Sequence, residues 1–282
     1  MKKSKSEIIT LIKDNTMPSY LKIENLFYLM NIADDESLNV IFDVLRNDPC
    51  ELVRHEAAFC LAEMASERSR EVLKECFKND LSAIVKHECL ISLGTIGDRD
   101  LDLDFYSDEI LNDLDYEVSC SAKIGRDRLL QENFFDDFLE KREDYEELLF
   151  DYKNTSQNDR IQILFQLMNV SDDRAVDLIY DVLKKDICRV VRHEAAFILG
   201  EIGTEKSVKL LMDGIENEKT EIVIHEGLFA LGTSGRRECL IFISNYLDHP
   251  SYVISESAKI AMDRIEKLKT PYRGTKEFED LK

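Results

Sequence analysis

VRHEAAFCLAEM at residues 53–64 and VKHECLISLGTIG at 85–97 are built around the same dipeptide, as are VRHEAAFILGEIG at 191–203 and VIHEGLFALGTSG at 223–235. Of the five histidines, four begin a His-Glu pair: His55-Glu56, His87-Glu88, His193-Glu194 and His225-Glu226. Only His249 stands outside the pattern. Around each pair the apolar residues recur at helical spacing, and three of the four runs close on Gly97, Gly203 or Gly235. His87 follows His55 by 32 residues, and His225 follows His193 by the same 32. Each pair of the second set lies 138 residues after its counterpart in the first. The motif therefore occupies one structural position in a repeated unit, and the unit is itself duplicated.

Working outward, the first half reads as a train of helices: 6–14, 20–32, 36–47, 51–65, 68–79, 83–96, 101–112 and 116–130. Breaks fall at Pro18, Asp48-Pro49 and Gly97-Asp98. Each helical hairpin takes about thirty residues, the period of stacked solenoid repeats. The second half restates this plan. ENLFYLMNIADDESLNVIFDVL (24–45) aligns without a gap on QILFQLMNVSDDRAVDLIYDVL (162–183), and YEVSCSAKIGRDRL (116–129) matches YVISESAKIAMDRI (252–265). The acidic stretch between the halves predicts a helix over 134–151, the first of the second half, followed by a hinge. The expected architecture is all-α: a helical-hairpin solenoid in two pseudo-symmetric halves of about four hairpins each. The halves are placed at 1–133 and 134–269, and 270–282 forms an aperiodic, flexible tail.

Composition limits the partners. The residues are 44% hydrophobic and the four prolines and absent tryptophan leave helix formers dominant, as a helical core requires. MKKSKSEIITLIKDN lacks the apolar core of a signal peptide, and no later run is long enough to cross a membrane. The seven cysteines show no Cys-x-x-Cys and sit among apolar residues, which reads as reduced core thiols in a cytoplasmic protein. A net charge of −20 argues against nucleic acid, which needs clustered Lys and Arg, and suits a cationic partner.

Imidazole and carboxylate repeated at one position are ligands of a redox-active transition metal. The competing reading is inheritance, with the pair kept for packing or capping. Two observations weigh against it: the outer repeats SCSAKIG and SESAKIA keep the apolar plan without His-Glu, and the flanks drift while the pair stays fixed. The pairs fall in the first turns of second helices, on neighbouring helices within each half. If the two arcs face each other, four His and up to four Glu converge as one two-His-plus-carboxylate set per half. No cysteine has the spacing of a closed structural zinc site. Two His and one carboxylate leave positions open at iron for dioxygen, and two adjacent irons offer a place for a peroxide. Spacing alone also admits manganese or zinc.

VRHEAAF-x-LG-x-(I/M) in two paired sets on HEAT-type hairpins resembles the deoxyhypusine hydroxylase family over about residues 20–268. The resemblance implies a monomeric deoxyhypusine monooxygenase with two Fe ions, a di-iron centre forming an O2-derived peroxo intermediate. Its partner would be deoxyhypusine-containing translation initiation factor 5A, whose side chain it would hydroxylate to hypusine. Carried over motif by motif, the metal ligands are His55, His87 and Glu88 for one iron and His193, His225 and Glu226 for the other. Glu56 and Glu194 take catalytic, substrate-facing or supporting roles beside the irons. The chain departs from the family at Ile91 and Phe229, where a polar Glu is usual, at Ile224, where a basic residue is usual, and at Ala62, where the other motifs have glycine. None of these is itself a proposed ligand; they bear on the substrate pocket.

Two rivals remain at this level. One is a non-catalytic HEAT-repeat scaffold that binds a basic partner in an acidic groove. The other is a bilin lyase on the same architecture, which would not need paired His-Glu sets.

Overall fold

The second helices of the hairpins are the spine of this protein, because the central ones are buried on nearly every side. A helix from Glu221 to Thr233 is buried without interruption from Ile222 to Gly232. Such a helix must be surrounded by others. The first helices differ. That of Asp35–Asn47 buries Leu38, Ile41 and Leu45 on one face and leaves Asp35, Glu36, Asp43 and Arg46 in solvent. Alternation of one-sided and all-round helices gives a two-layer stack, outer helices covering inner ones.

The computed structural model describes residues 4–131, 152, 155–170 and 172–267. Every regular element among these is helical. The chain divides into two units, Met1–Phe134 and Phe135–Lys282. In the first, α1 (Lys5–Ile12) pairs with α2 (Ser19–Ile32), α3 (Asp35–Asn47) with α4 (Glu51–Glu63), and α5 (Glu67–Asn79) with α6 (Ala83–Ile96). Two short helices, α7 (Arg99–Asp102) and α8 (Asp108–Leu111), then pack on α9 (Tyr116–Leu130). In the second unit, α10 (Gln157–Val170) is followed by α11 (Asp173–Lys185) with α12 (Arg189–Ile202), α13 (Glu205–Glu216) with α14 (Glu221–Thr233), and α15 (Leu240–Ser244) with α16 (Tyr252–Lys267). The inner helices stack in order: α2, α4, α6, α9 in one unit and α10, α12, α14, α16 in the other. The expected helix at 134–151 and tail at 270–282 lie outside the described residues.

The duplicated Asp-Asp pairs explain two of the starts. Asp34 accepts from the Ser37 N–H at 2.9 Å and caps α3; Asp172 accepts from the Ala175 N–H at 2.8 Å and caps α11. Each satisfies an amide that the helix leaves orphaned. The Leu-Gly of the motifs is a packing device. A Cβ on Gly94 would stand 2.4 Å from the Gly125 Cα, and one on Gly232 would stand 2.8 Å from the Ala261 Cα. Inner helices cross there nearly backbone to backbone.

The single helix expected over 101–112 is instead broken into α7, a 3-10 turn at Leu103–Phe105 and α8. Leu101, Leu103 and Phe105 alternate with acidic residues, so no helical face there is apolar. Tyr106 turns inward and its hydroxyl donates to the Leu90 carbonyl at 2.7 Å, while Lys74 draws Asp102 into burial at 2.5 Å. The seven cysteines are all buried as thiols. Burial pushes the Cys76 and Cys239 thiols up to about 11 and Cys89 well above its ordinary value, which makes them inert packing groups. No helix among the described residues is long and apolar enough to cross a membrane.

Candidate metal centre

His55 and Glu56 lie in the second turn of α4, and His87 and Glu88 lie in the second turn of α6. Because α4 and α6 pack side by side, the 32-residue repeat brings the two motifs together. The imidazoles of His55 and His87 are nearly parallel, 14° apart with centroids 6.3 Å apart. One ring nitrogen of each lies within 4.8 Å of the other's. Glu88 reaches between them: its Oε2 is 3.6 Å from His55 Nε2 and 4.0 Å from His87 Nε2. Its other oxygen accepts from the Ser92 hydroxyl at 3.0 Å, which sets the plane of the carboxylate. All four motif side chains in this unit are buried.

The second unit repeats the arrangement on α12 and α14. His193 Nε2 lies 3.4 Å from Glu226 Oε2, and His193, His225 and Glu226 are buried. His225 is fully inaccessible, as is His87. Glu194 is half-buried, and its Oε1 is 3.6 Å from His193 Nδ1.

The first Glu of each half behaves differently from the second. Glu56 Oε1 stands 3.3 Å from His55 Nδ1. A carboxylate accepts only, so the Nδ1 proton of His55 points at Glu56 and, in the neutral ring, Nε2 carries a lone pair toward Glu88. At 3.6 Å that nitrogen and the carboxylate are too far apart for a hydrogen bond and are both electron donors. Two electron donors facing one another in a buried setting can share a cation. Donor atoms about 2.1 Å from a shared metal stand about 3.0–4.2 Å from one another, depending on the coordination angle. The observed 3.4, 3.6 and 4.0 Å fit within that span. The buried His and Glu of these helices are therefore able to hold a metal.

The structure brings His55, His87 and Glu88 together in one unit and His193 and Glu226 together in the other. His225 sits on the same helix as Glu226, one residue before it. Among the family departures, Phe229 packs its ring against His225, centroids 4.9 Å apart, and the Arg264 guanidinium covers it at 5.0 Å. Ile224, which precedes His225, is buried, whereas its counterparts Arg54, Lys86 and Arg192 are charged and half-buried.

Residues 9–94 and 147–232, more than half of the chain, match the sequence profile of HEAT repeats. The chain belongs to the HEAT-repeat family. Among solved structures, human deoxyhypusine hydroxylase in complex with glycerol matches with a TM-score of 0.81 over 93% of this chain and 96% of that one, at 23% identity. The two share a fold, and the likeness expected from the His-Glu pattern is present in the structure. The CpcE–CpcF complex of phycocyanin lyase from Nostoc sp. PCC7120 matches far less well, at a TM-score of 0.33 and 15% identity over 94% of this chain and 96% of that one. No curated protein matches by sequence.

The stacking of the repeats also explains the arginine before the first His of each unit, whose role the sequence did not disclose. The Arg54 guanidinium donates to Asp80 on the next hairpin at 2.7 and 3.0 Å and to the Asp48 carbonyl at 2.8 Å. Arg192 does the same with Glu218 at 2.9 Å and the Asp186 carbonyl at 2.8 Å. One repeat earlier, Lys22 pairs with Asp48 at 2.5 Å and Arg160 with Asp186 at 2.9 Å. These pairs tie α2 and α4 in one unit, and α10 and α12 in the other, to the turn that opens the next inner helix, and help fix the register that aligns the motifs.

Proposed function

We propose that this protein is a di-iron monooxygenase that hydroxylates the deoxyhypusine side chain of translation initiation factor 5A. The observation that carries the proposal is the twice-repeated meeting, on neighbouring inner helices, of a buried imidazole nitrogen and a buried carboxylate from the next motif. The fold shared with human deoxyhypusine hydroxylase supports it, as does a net charge suited to a cationic side chain. His55, His87 and Glu88 would hold one iron, and His193, His225 and Glu226 the other. Bound iron would supply the activation of dioxygen, which no side chain can perform.

The protein's own residues do the rest. Glu56 holds the ring of His55 by accepting a hydrogen bond from its Nδ1–H. Ser92 orients Glu88. Glu56 and Glu194 are assigned to the ammonium groups of the substrate through charge-assisted hydrogen bonds. Burial of the motifs keeps bulk water from the oxidising centre. One oxygen atom would enter the side chain as hydroxyl, and the other would leave as water with two electrons from an external reductant and two protons from solvent.

Metal analysis and an optical spectrum of the purified protein, followed by mass spectrometry of deoxyhypusine-bearing factor after incubation with Fe(II) and dioxygen, test the reading. The expected results are two irons per chain, visible absorption and a gain of one oxygen atom. A colourless, metal-free protein that binds the basic factor without altering it would instead be a scaffold.

A further inference from the structure

Two serines outside the His-Glu motifs touch two of the proposed ligands. His87 Nδ1 lies 2.6 Å from Ser121 Oγ, and that oxygen lies 2.6 Å from the Glu117 carbonyl, one turn back on α9. In the other unit, His225 Nδ1 lies 2.8 Å from Ser257 Oγ, which lies 2.6 Å from the Val253 carbonyl on α16. Both serines and both histidines are fully buried. A carbonyl oxygen has no proton to give, so the single proton of each serine hydroxyl lies toward its own helix. The serine oxygen can then meet the imidazole only as an acceptor. That requires a proton on Nδ1 and, in the neutral ring, leaves the lone pair on Nε2.

We infer that Ser121 and Ser257 are positioning residues: each holds its histidine as the Nδ1–H tautomer, with Nε2 prepared as a metal donor. The serines stand on the fourth inner helix of each stack, at the end where the motif has run out. SAKI at 121–124 and SAKI at 257–260 are the same four residues in both halves, although VSC and ISE before them differ. The repeat thus supplies two kinds of holder. The first His of unit 1 leans on the carboxylate of Glu56, whereas the second His of each unit leans on a neutral hydroxyl. A neutral acceptor fixes the ring without adding charge to a site that already holds a carboxylate.

The significance for metal binding rests on the reading of His87 and His225 as ligands, but the tautomer is observable without metal. Long-range 1H–15N correlation spectra of the full-length, metal-free protein should show protonated Nδ1 and unprotonated Nε2 at both His87 and His225. Ser121→Ala should release His87 to the Nε2–H form or a mixture while leaving His225 unchanged. It should also lower the affinity for Fe(II), added anaerobically, by about 10- to 100-fold at that unit. Ser121→Thr, which keeps the hydroxyl, should restore both. Nε2–H histidines in the wild-type protein would overturn the inference without any variant, and so would an unaltered His87 tautomer in Ser121→Ala. Should Ser121→Ala fail to fold, the wild-type spectrum and Ser257→Ala read at His225 decide the matter. Undiminished iron in His87→Ala and His225→Ala would remove the ligand reading, while the tautomer result would stand by itself.

Discussion

Glu56 and Glu88 occupy the same repeat position on adjacent helices, yet they face different atoms. Glu88 presents Oε2 to the Nε2 sides of both His55 and His87, and Glu56 takes the Nδ1 side of His55. Removing a negative donor from a dication empties or misloads the site, so Glu88→Ala and Glu226→Ala should lose iron by elemental analysis. Glu56→Gln and Glu194→Gln keep an acceptor but lose the charge, so they should retain iron and bind the cationic side chain one to two decades more weakly. That corresponds to a charge-assisted hydrogen bond of about 1.5–3 kcal/mol. The structure adds an asymmetry that the motif alone does not contain. Glu56→Ala should also weaken metal binding, because it removes the support of His55, whereas Glu194 stands at 3.6 Å from His193 and its alanine variant should bind metal nearly as the parent does. The four His-Glu pairs were legible because they repeat. Ser121 and Ser257 were not, because a buried hydroxyl leaves no pattern; the shared Ser-Ala-Lys-Ile was the signal available, and it reads first as a motif lost. The charge ladder of Arg54 and Arg192 was hidden for another reason: its partners lie 26 residues away on the next hairpin.

At the level of helices, the sequence predicts inner elements well because their caps, breaks and apolar periods agree. It fails at α7 and α8, where alternating Leu and Asp carry no helical face and Tyr106 is pulled inward by a carbonyl it cannot foresee. Helix crossings yield a stability prediction. At Gly94 an added methyl meets the backbone of α9 rather than a yielding side chain, so the helices must separate. Gly94→Ala should cost about 1–3 kcal/mol in denaturant unfolding, although alanine is the better helix former. The entry to α3 gives a pH prediction. The ammonium of Lys5, aided by the Ser37 backbone amide, holds Asp34 down at about 2 from an ordinary 3.8. The folded value lies below the unfolded one, so the contact stabilises fully above about pH 4 and is lost as pH falls through about 2. The pair is exposed and its contribution to stability small. Carboxyl NMR should place the Asp34 midpoint near 2 and find it raised in Lys5→Ala.

Across the whole molecule, duplication places a buried His-Glu set within each of two units, and each unit stacks its own inner helices. His55, His87 and Glu88 all come from the first, and His193, His225 and Glu226 all from the second. Metal that binds the native unit and not its unfolded chain stabilises that unit by mass action, about 2.7 kcal/mol at a hundred-fold excess over the dissociation constant. Removing iron with a chelator should therefore lower the melting temperature in scanning calorimetry. The two halves can be told apart by substitution. His87→Ala should reduce the metal content from two ions per chain to one and abolish the chelator-sensitive shift of the first unit while leaving that of the second. His225→Ala should do the converse. Each alanine also opens a cavity in a packed helix, which lowers stability with or without metal, so the comparison that matters is the difference made by the chelator within each variant. If both variants lose both ions together, the two sets load as one cooperative centre and the unit is not the element of metal binding. If neither loses any, the four imidazoles serve the packing of the inner helices and the repeated His-Glu pair is a structural inheritance.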